Sequence, residues 1–373
     1  MKIFYFALGP LNNSGGVGKK IYSQILALKN LGINVTLCVT NNLNHSNTVA
    51  LKNSLFNLIW KYYTISKVLN KIIKNCESNT ILYVRSFAPN PFTSISFLLP
   101  RKCKIIIEYQ SIEPYEIKLS SQRYRFLIMD VLFGTLVRKR TDGIVGVTEE
   151  ITNYELNRIG NINKPHITIG NGFEVDSVPI RNAKQYNDTE LHLLCVANVS
   201  KWHGLDRLLK GMAKYSGNIR IIFHIAGEGA ELPFLKQLVK TLNLQNRVIF
   251  HGFKTGENLD ILFNTCHIAV GSIGIHRKGL TQTSELKARE YCARGIPYII
   301  ACGDPDFPDD FPYIHKVPPD ESPVDIEKII EFAQTACADL DHPQKMRAYA
   351  LEYLDWSVKM KILKTFLENL IAE

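Results

Sequence analysis

Short apolar, β-branched runs alternate with amphipathic stretches along the whole chain. Between the runs, spacings such as that of Val17, Ile21, Ile25 and Leu28 predict helices with one buried face. Strand–helix alternation of this kind indicates βαβ units and parallel sheets. The first series of predicted strands comprises 2–9, 33–40, 80–87, 104–110, 143–148 and 166–169. The second series comprises 191–199, 219–227, 247–253, 267–273 and 297–303.

A polar segment, DSVPIRNAKQYNDTE (176–190), separates the two series and contains Pro179, as is typical of a linker. The 373 residues suffice for two domains. We therefore predict two Rossmann-like α/β domains, 1–180 and 181–356, whose parallel sheets face each other across a cleft. In such folds ligands bind at the carboxyl ends of the strands.

The composition, with 46% hydrophobic and 21% charged residues, is that of a globular protein and excludes disorder and collagen-like repeats. No two of the eight cysteines form a C-x-x-C pair, so we expect buried thiols in a reducing compartment and no metal site. The sequence shows neither a signal peptide nor an apolar run of about 20 residues. A cytoplasmic location is the resulting expectation.

The charge is concentrated in the first half of the chain. Residues 1–180 hold 21 basic and 11 acidic side chains, whereas the remainder has a net charge of −1. A one-sided basic field indicates an anionic partner. Nucleic acid is disfavoured because no helix-turn-helix, zinc-finger or RNP-like motif is present. The segments 55–73 and 123–140 mix basic with aromatic and aliphatic residues, which favours an anionic membrane surface, although either segment alone also fits an amphipathic helix packed on a sheet.

The first loop that follows a predicted strand is GPLNNSGGVGKK (9–20). It is not a Walker motif, because Asn13 stands at the required glycine and Lys20 at the required Ser or Thr, and it lacks the G-x-G-x-x-G spacing. The Gly15-Gly16 turn and the helix start behind it fit two interpretations. The backbone N–H groups contact a diphosphate or an acceptor, or the glycines serve the turn alone.

Several segments, in one order, resemble the retaining glycosyltransferases of family 4, which have the GT-B fold. The second half opens with LLCVANVSKWHGLDRLLKGM, similar to that family's strand, G-R-L-S-x-x-K-G-like turn and helix. Trp356-Ser357 and the amphipathic pattern after it resemble the family's C-terminal helix, so we expect 357–373 to pack back on the first domain; the alternative is a helix that completes the second domain. The other similar segments are 15–39, NGFEVD (171–176), IAGEGAELPFLKQL (225–238), VIFHGF (248–253) and SELKAREYCARGIPYI (284–299).

This resemblance implies transfer of a sugar from a nucleotide-sugar donor with retention of configuration, without a metal or another cofactor. It places the donor on the second domain and the acceptor on the first. Glu290 matches the glutamate that binds the donor ribose, for which the alternative is an i, i+4 pair with Arg294. The predicted donor-binding residues are Gly15, Gly16, Asn198, His203, Phe253, Lys278, Gln282, Ser284 and Glu290.

The chain departs from the family at polar positions. Asn198 and His203 stand where Arg and Lys usually clamp the diphosphate, Gln282 replaces the glutamate eight residues before Glu290, and Gln110 stands where many members have a histidine. Developing negative charge on the diphosphate still requires positive charge nearby. The sources that the sequence offers are Lys278, Lys287, Arg289 and a protonated His203.

Lys287 is the preferred source, because it shares a helix face with Glu290; the alternative is an ordinary lysine paired with that glutamate. Glu108 or Glu113, beside Gln110, is expected to orient the acceptor hydroxyl. The predicted catalytic residues are Lys287, Glu108 and Gln110.

The predicted function is that of a retaining, metal-independent hexosyltransferase at the inner face of a bacterial membrane. A UDP-sugar donor is favoured over a GDP-sugar, and the acceptor is a lipid-linked saccharide or an oligosaccharide in capsule, O-antigen or exopolysaccharide synthesis. Two alternatives stay open: a non-catalytic GT-B protein that binds a glycan or an active partner subunit, and a nucleotide-sugar 2-epimerase. Because fold does not determine function, the acceptor rests on analogy.

Overall fold

The structure is a computed structural model that describes residues 1–9, 11, 16–39, 55–118 and 124–372. The chain divides into two compact units: unit 1 comprises Met1–Gly170 and Trp356–Glu373, and unit 2 comprises Asn171–Asp355. The first boundary therefore falls ten residues before the predicted one. The reason is local: the Phe173 N–H donates to the Leu354 carbonyl at 2.8 Å, so this part of the predicted first domain packs within unit 2.

Unit 1 alternates strands and helices and ends with the C-terminal helix of the chain. Its helices are α1 (Gly16–Asn30), α2 (Leu55–Lys74), α3 (Pro91–Ser96), α4 (Glu113–Lys118), α5 (Tyr124–Met129), a π-helical turn (Asp130–Gly134), α6 (Thr135–Arg140), α7 (Glu149–Ile159) and α14 (Trp356–Ala372). Its strands are β1 (Lys2–Ala7), β2 (Asn34–Val39), β3 (Thr80–Arg85), β4 (Lys104–Tyr109), β5 (Gly143–Gly146) and β6 (His166–Thr168).

The strands of unit 1 form one parallel sheet in the order β2-β1-β3-β4-β5-β6. Ile81, Leu82 and Ile105 are fully buried, as expected for parallel strands covered on both faces. Helix α14 packs against α1, and the Lys364 ammonium donates to the Leu31 carbonyl at 3.2 Å. The end of the chain thus completes unit 1.

Unit 2 repeats the alternation with a second set of elements. Its helices are α8 (Leu205–Lys214), α9 (Leu232–Thr241), α10 (Glu257–Thr265), α11 (Leu286–Arg294), α12 (Ile326–Ala338) and α13 (His342–Tyr349). Its strands are β7 (Glu190–Val196), β8 (Arg220–Ala226), β9 (Val248–Gly252), β10 (Ile268–Val270), β11 (Tyr298–Ile300) and β12 (Ile314–Lys316).

The second sheet is also parallel, in the order β12-β11-β10-β7-β8-β9. All eleven predicted strands are confirmed, and ten of them end one or more residues earlier than predicted; residue 40, the predicted end of the second strand, lies outside the described residues. The apolar runs continue into the loops because residues such as Val199 and Ile273 are buried there too. The three-residue strand β12 was not predicted. Among the described residues, no helix is long and apolar enough to cross a membrane.

A row of histidines crosses the sheet of unit 2. His192 Nδ1 lies 3.0 Å from His224 Nε2, and His224 Nδ1 lies 2.9 Å from His251 Nε2. The ring of His267 accepts the His192 N–H at 3.0 Å. Burial, helped by the neighbouring histidine rings and by the charge of Lys184, lowers the pKa of His224 to about 4 and that of His267 to about 3. These rings are therefore neutral in the folded protein near pH 7.

We expect acid to destabilise unit 2 through these rings. The unfolded chain binds protons near pH 6.5, whereas the folded rings resist protonation until about pH 4. Stability conferred by the neutral rings is therefore intact above pH 6.5 and falls as the pH drops towards 4, by on the order of 2 kcal/mol for a ring shifted this far. Urea unfolding at a series of pH values, compared with His224→Gln, measures the effect. An unchanged pH slope in the variant would contradict it.

Candidate functional site

The strand order of unit 2 defines where a ligand binds. Strand β7 lies at the centre, the chain runs outward from it to β9, and it then returns to β10 on the other side. Parallel α/β sheets bind ligands at the carboxyl ends of the strands at such a reversal point. Here the adjoining loops are 197–204, after β7, and 271–279, after β10. Residues 281–290, around the start of α11, supply the other predicted side chains.

His203 is buried in the first of these loops. Its Nδ1 accepts the Ser200 N–H at 2.9 Å, so the neutral ring carries its proton on Nε2. Burial, together with the charges of Lys287 and Lys278, holds the pKa of His203 well below its ordinary value. This environment disfavours the protonated form of His203, which stood among the candidate sources of positive charge. The ring instead offers a neutral N–H donor beside two lysines.

Those two lysines are themselves largely withdrawn from solvent. Lys278 is buried, with its ammonium 5.0 Å from the centre of the Trp202 ring. The Lys287 side chain is 12% exposed, and its Nζ lies 3.6 Å from Glu285 Oε2. Because this separation exceeds a hydrogen bond, the Lys287 ammonium is buried without a hydrogen-bond partner among the described residues. Such a group attracts an anionic ligand.

Glu285 is a site residue that the sequence analysis missed. Besides its contact with Lys287, its Oε2 accepts the Ser272 N–H at 3.1 Å. It thereby joins the loop after β10 to the start of α11. The signal in the sequence was a second glutamate five residues before Glu290, but the resemblance drew attention to position 282.

Glu290 lies on α11 with its carboxylate directed to the same helix. Its Oε1 accepts from Arg294 Nε at 2.9 Å, and Arg294 also donates to Asp260 Oδ1 at 2.6 Å. This is the i, i+4 pair that stood as the alternative for Glu290, whereas the alternative for Lys287, a pair with Glu290, is not observed. The ribose-binding role of Glu290 stays a prediction.

Four further predicted donor residues lie on loops of unit 2. Ser284 is tied to the backbone, since its Oγ accepts the Asn171 N–H at 2.6 Å. Gln282 lies in a short parallel bridge with Gly303. Asn198 is exposed in the loop after β7, and Phe253, which follows β9, is 60% exposed. Ser284 therefore supports the loop, whereas Asn198 and Phe253 present free surface to a ligand.

Arg289 is fully buried and points away from solvent. Its guanidinium donates to both oxygens of Asp304 and to Asp306, and its Nε donates to the Asn171 carbonyl at 2.9 Å. The guanidinium also lies over the ring of Phe307. The prediction that Arg289 supplies charge to a diphosphate is therefore wrong, because its donors are already used to anchor α11.

In unit 1, Glu108 is buried at the end of β4 with three partners. Its Oε1 lies 3.2 Å from Lys20 Nζ and accepts from Gln24 Nε2 at 3.0 Å, and its Oε2 accepts from the Tyr5 hydroxyl at 3.2 Å. Despite burial, Lys20 and the other donors hold the pKa of Glu108 below its ordinary value. Lys20 also donates to the Gln110 side chain. These contacts favour a role in which Glu108 positions neighbouring side chains such as Lys20.

Glu113 differs from Glu108 in its environment. It lies at the start of α4 and lines a small cavity with Ser86, Tyr109 and Arg138, together with apolar side chains. Burial raises the pKa of Glu113 to about 7. Of the glycines predicted to contact the donor, Gly16 is the exposed first residue of α1, and Gly15 lies outside the described residues.

Metal ligands are a separate question. In the part of the chain that the structure describes, no three His, Cys, Asp or Glu side chains are grouped so that they could hold a metal ion. Lys278 and Lys287 are the ammonium groups whose charges act on His203.

Comparison with known proteins indicates the class of protein to which the site belongs. Residues 177–281, which lie within unit 2, match the family model described as glycosyl transferases group 1. No curated protein matches the chain at the level of sequence. The match and the fold support a glycosyltransferase of the GT-B type.

Among solved structures, sucrose-phosphate synthase from Thermosynechococcus elongatus superimposes with a TM-score of 0.72 at 15% identity, over 100% of this chain and 99% of that chain. HepE from Anabaena, in complex with UDP and glucose, superimposes with a TM-score of 0.63 at 13% identity, over 99% of this chain and 100% of that chain. The lipopolysaccharide outer core galactosyltransferase WaaB, in its apo form, gives 0.61 at 13% identity, over 99% of each chain. These likenesses confirm the predicted GT-B fold.

We expect Arg289→Met to destabilise unit 2 strongly. The substitution leaves the buried Asp304 and its neighbour Asp306 without their cation, and breaking a buried ion pair in this way costs about 3–5 kcal/mol. Urea unfolding followed by circular dichroism measures the loss. The matched control is Arg220→Met, which removes an exposed pair with Glu190 and is expected to cost less than about 1 kcal/mol. Equal losses in the two variants would contradict the anchoring role.

Proposed function

We propose that the protein is a retaining glycosyltransferase that takes a sugar from a UDP-sugar and transfers it to a lipid-linked saccharide. The observation that carries this proposal is the cluster of His203, Lys278 and Lys287 at the reversal point of the second sheet. Two ammonium groups and one neutral N–H donor, set among buried groups, suit a diphosphate.

The chemistry assigns these groups to the leaving diphosphate. As the bond between the sugar's anomeric carbon and the diphosphate oxygen breaks, negative charge develops on the phosphate, and Lys287 and Lys278 stabilise it. The His203 Nε2–H donates to a phosphate oxygen. The acceptor oxygen bonds to the same face of the anomeric carbon, and its proton passes to the departing phosphate.

The remaining assignments follow the resemblance. Glu290 binds the ribose hydroxyls by exchanging part of its pairing with Arg294. Phe253 and the adjoining backbone lie against the base. A UDP donor is favoured because HepE was solved with UDP and glucose, and a pneumococcal O-GlcNAc transferase of the same fold with UDP and GlcNAc.

The proposal also covers the acceptor and the location of the protein in the cell. WaaB, a similar structure, is described as a lipopolysaccharide outer core galactosyltransferase, which supports a surface polysaccharide as the product. The basic charge of unit 1 supports an acceptor presented at the inner face of a membrane. We place no metal in the reaction, since the lysines supply the charge; unchanged transfer in EDTA is the expected result.

A thermal-shift panel with UDP, GDP, ADP and CMP tests the donor site. A ligand at 100 times its dissociation constant stabilises the folded protein by ~2.7 kcal/mol, so UDP is expected to raise the melting temperature measurably. Lys287→Ala is expected to weaken UDP binding about tenfold or more while leaving uridine binding unchanged, because it removes a phosphate contact. Glu290→Ala is expected to weaken the binding of both UDP and uridine. Lys214→Ala, at the far end of α8, is the matched control.

The outcomes separate the proposal from its rivals. If no nucleotide stabilises the wild-type protein at millimolar concentration, the transferase proposal fails and a non-catalytic GT-B subunit becomes the better account. A 2-epimerase would instead convert the UDP-sugar without any acceptor, which proton NMR of the nucleotide sugar detects. Transfer with inversion at the anomeric carbon would overturn the retaining mechanism.

A further inference from the structure

One surface of unit 1 exposes aliphatic side chains that no function described above uses. On the segment from α5 through the π-helical turn to α6, Ile128, Val131, Leu132 and Leu136 are between 38% and 64% exposed. Their spacing of i, i+3, i+4 and i+8 puts them on one side of the helical segment. We call this side the apolar face.

The opposite side of the same segment buries charge. Asp130 and Arg138 are almost fully buried and paired at 3.0 Å, and Arg138 also pairs with the buried Glu155 of α7. Between them, a side chain at Gly134 would collide with both partners. An ordinary amphipathic helix buries its apolar side and exposes its charges. Here the ion pairs turn Asp130 and Arg138 inward, while the aliphatic side chains of the apolar face stay exposed.

Helix α3 extends the apolar face towards α2. It contacts both the π-helical turn and α2, and it exposes Ile95, with Leu98 exposed just beyond its end. On α2, Trp60 is exposed beside Tyr63, whose ring lies 6.3 Å from that of Phe92 on α3. The structure thus brings the two segments that the sequence singled out, 55–73 and 123–140, against the same short helix.

The border of the apolar face is basic. Lys102, Lys139 and Arg140 are exposed, and Arg101 holds their two segments together by donating to the carbonyls of Phe97 and Arg140. Within 91–104 and 124–142 the acidic residues are the buried Asp130 and Asp142, which pairs with Arg101 at 3.1 Å. Unit 1 as a whole has 24 basic and 11 acidic residues, a net charge of +13, whereas unit 2 has −4.

We propose that the apolar face, with its basic border, binds the anionic surface of a lipid bilayer. The aliphatic side chains enter the boundary between headgroups and acyl chains, while Lys102, Lys139 and Arg140 pair with anionic headgroups. The charge favours this partner over a second copy of the chain, because two units of +13 repel each other. Binding to the bilayer would bring the protein to the proposed lipid-linked acceptor, and in this respect the inference rests on the proposed function.

Vesicle co-sedimentation tests the surface without donor, acceptor or turnover. The wild-type protein is expected to bind vesicles with roughly 30% phosphatidylglycerol and to release them in high salt. Val131→Asp/Leu132→Asp is expected to lower the partition coefficient about tenfold or more, because two charged side chains replace the inserted ones. Its matched control is Phe234→Asp/Ile261→Asp, at positions of similar exposure in unit 2, which should bind as the wild type does.

A second pair of variants tests the charge. Lys102→Glu/Lys139→Glu is expected to weaken binding to the anionic vesicles about tenfold or more, since each basic side chain contributes a several-fold gain near such a surface. Lys214→Glu/Lys361→Glu, which makes the same charge change elsewhere, should weaken it clearly less. Circular dichroism checks that each variant folds, as substitutions at exposed positions permit.

Three results would overturn the inference. The wild-type protein would fail to bind anionic vesicles, the apolar-face variants would bind as well as their controls, or the wild type would be a dimer that Val131→Asp/Leu132→Asp converts to a monomer. Failure here leaves UDP binding intact, and loss of UDP binding leaves vesicle binding intact. The inference and the proposed function therefore fail separately.

Discussion

Helix α11 owes its position to one buried cation. Arg289 gives its donors to Asp304 and Asp306 in the loop after β11 and to the carbonyl of Asn171, at the start of unit 2. A guanidinium can bridge these three segments because its donors are fixed in one plane. With α11 held in this way, Lys287 is directed towards the reversal point of the sheet. The position of Lys287 therefore depends on an arginine whose donors are used within the protein.

The polar substitutions at the site form a consistent set. The family pattern would supply charge from an arginine and a lysine where this chain has Asn198 and His203. Because His203 is buried and lies beside two lysines, protonating it would add a third positive charge to a poorly solvated place, and its pKa falls accordingly. The charges that act on His203 are those of Lys287 and Lys278, and Glu285 lies 3.6 Å from the Lys287 ammonium without hydrogen bonding to it.

The sequence predicted the sheets well because their order rests on local patterns. Strands buried on both faces appear as continuous apolar runs, whatever packs against them. Their ends were less certain, since buried loop residues such as Val199 continue the pattern. The partners of individual side chains could not be predicted, because they depend on segments distant in sequence. From the sequence, Arg289 could be a cation available to a ligand, whereas in the structure it is paired with Asp304 and Asp306. Lys287 likewise pairs with Glu285 and not with Glu290.

Dependence on partners distant in sequence also explains why the segment 123–140 had two interpretations. Its composition fits a helix packed on a sheet as well as one that faces a membrane. What decides between them is which side the fold buries, and that depends on Glu155 in another helix, whose carboxylate draws Arg138 inward. Once the charged side is inside, Val131 and Leu132 have no place but the surface. A buried ion network, weak evidence for stability by itself, here accompanies the exposure of an aliphatic helix face.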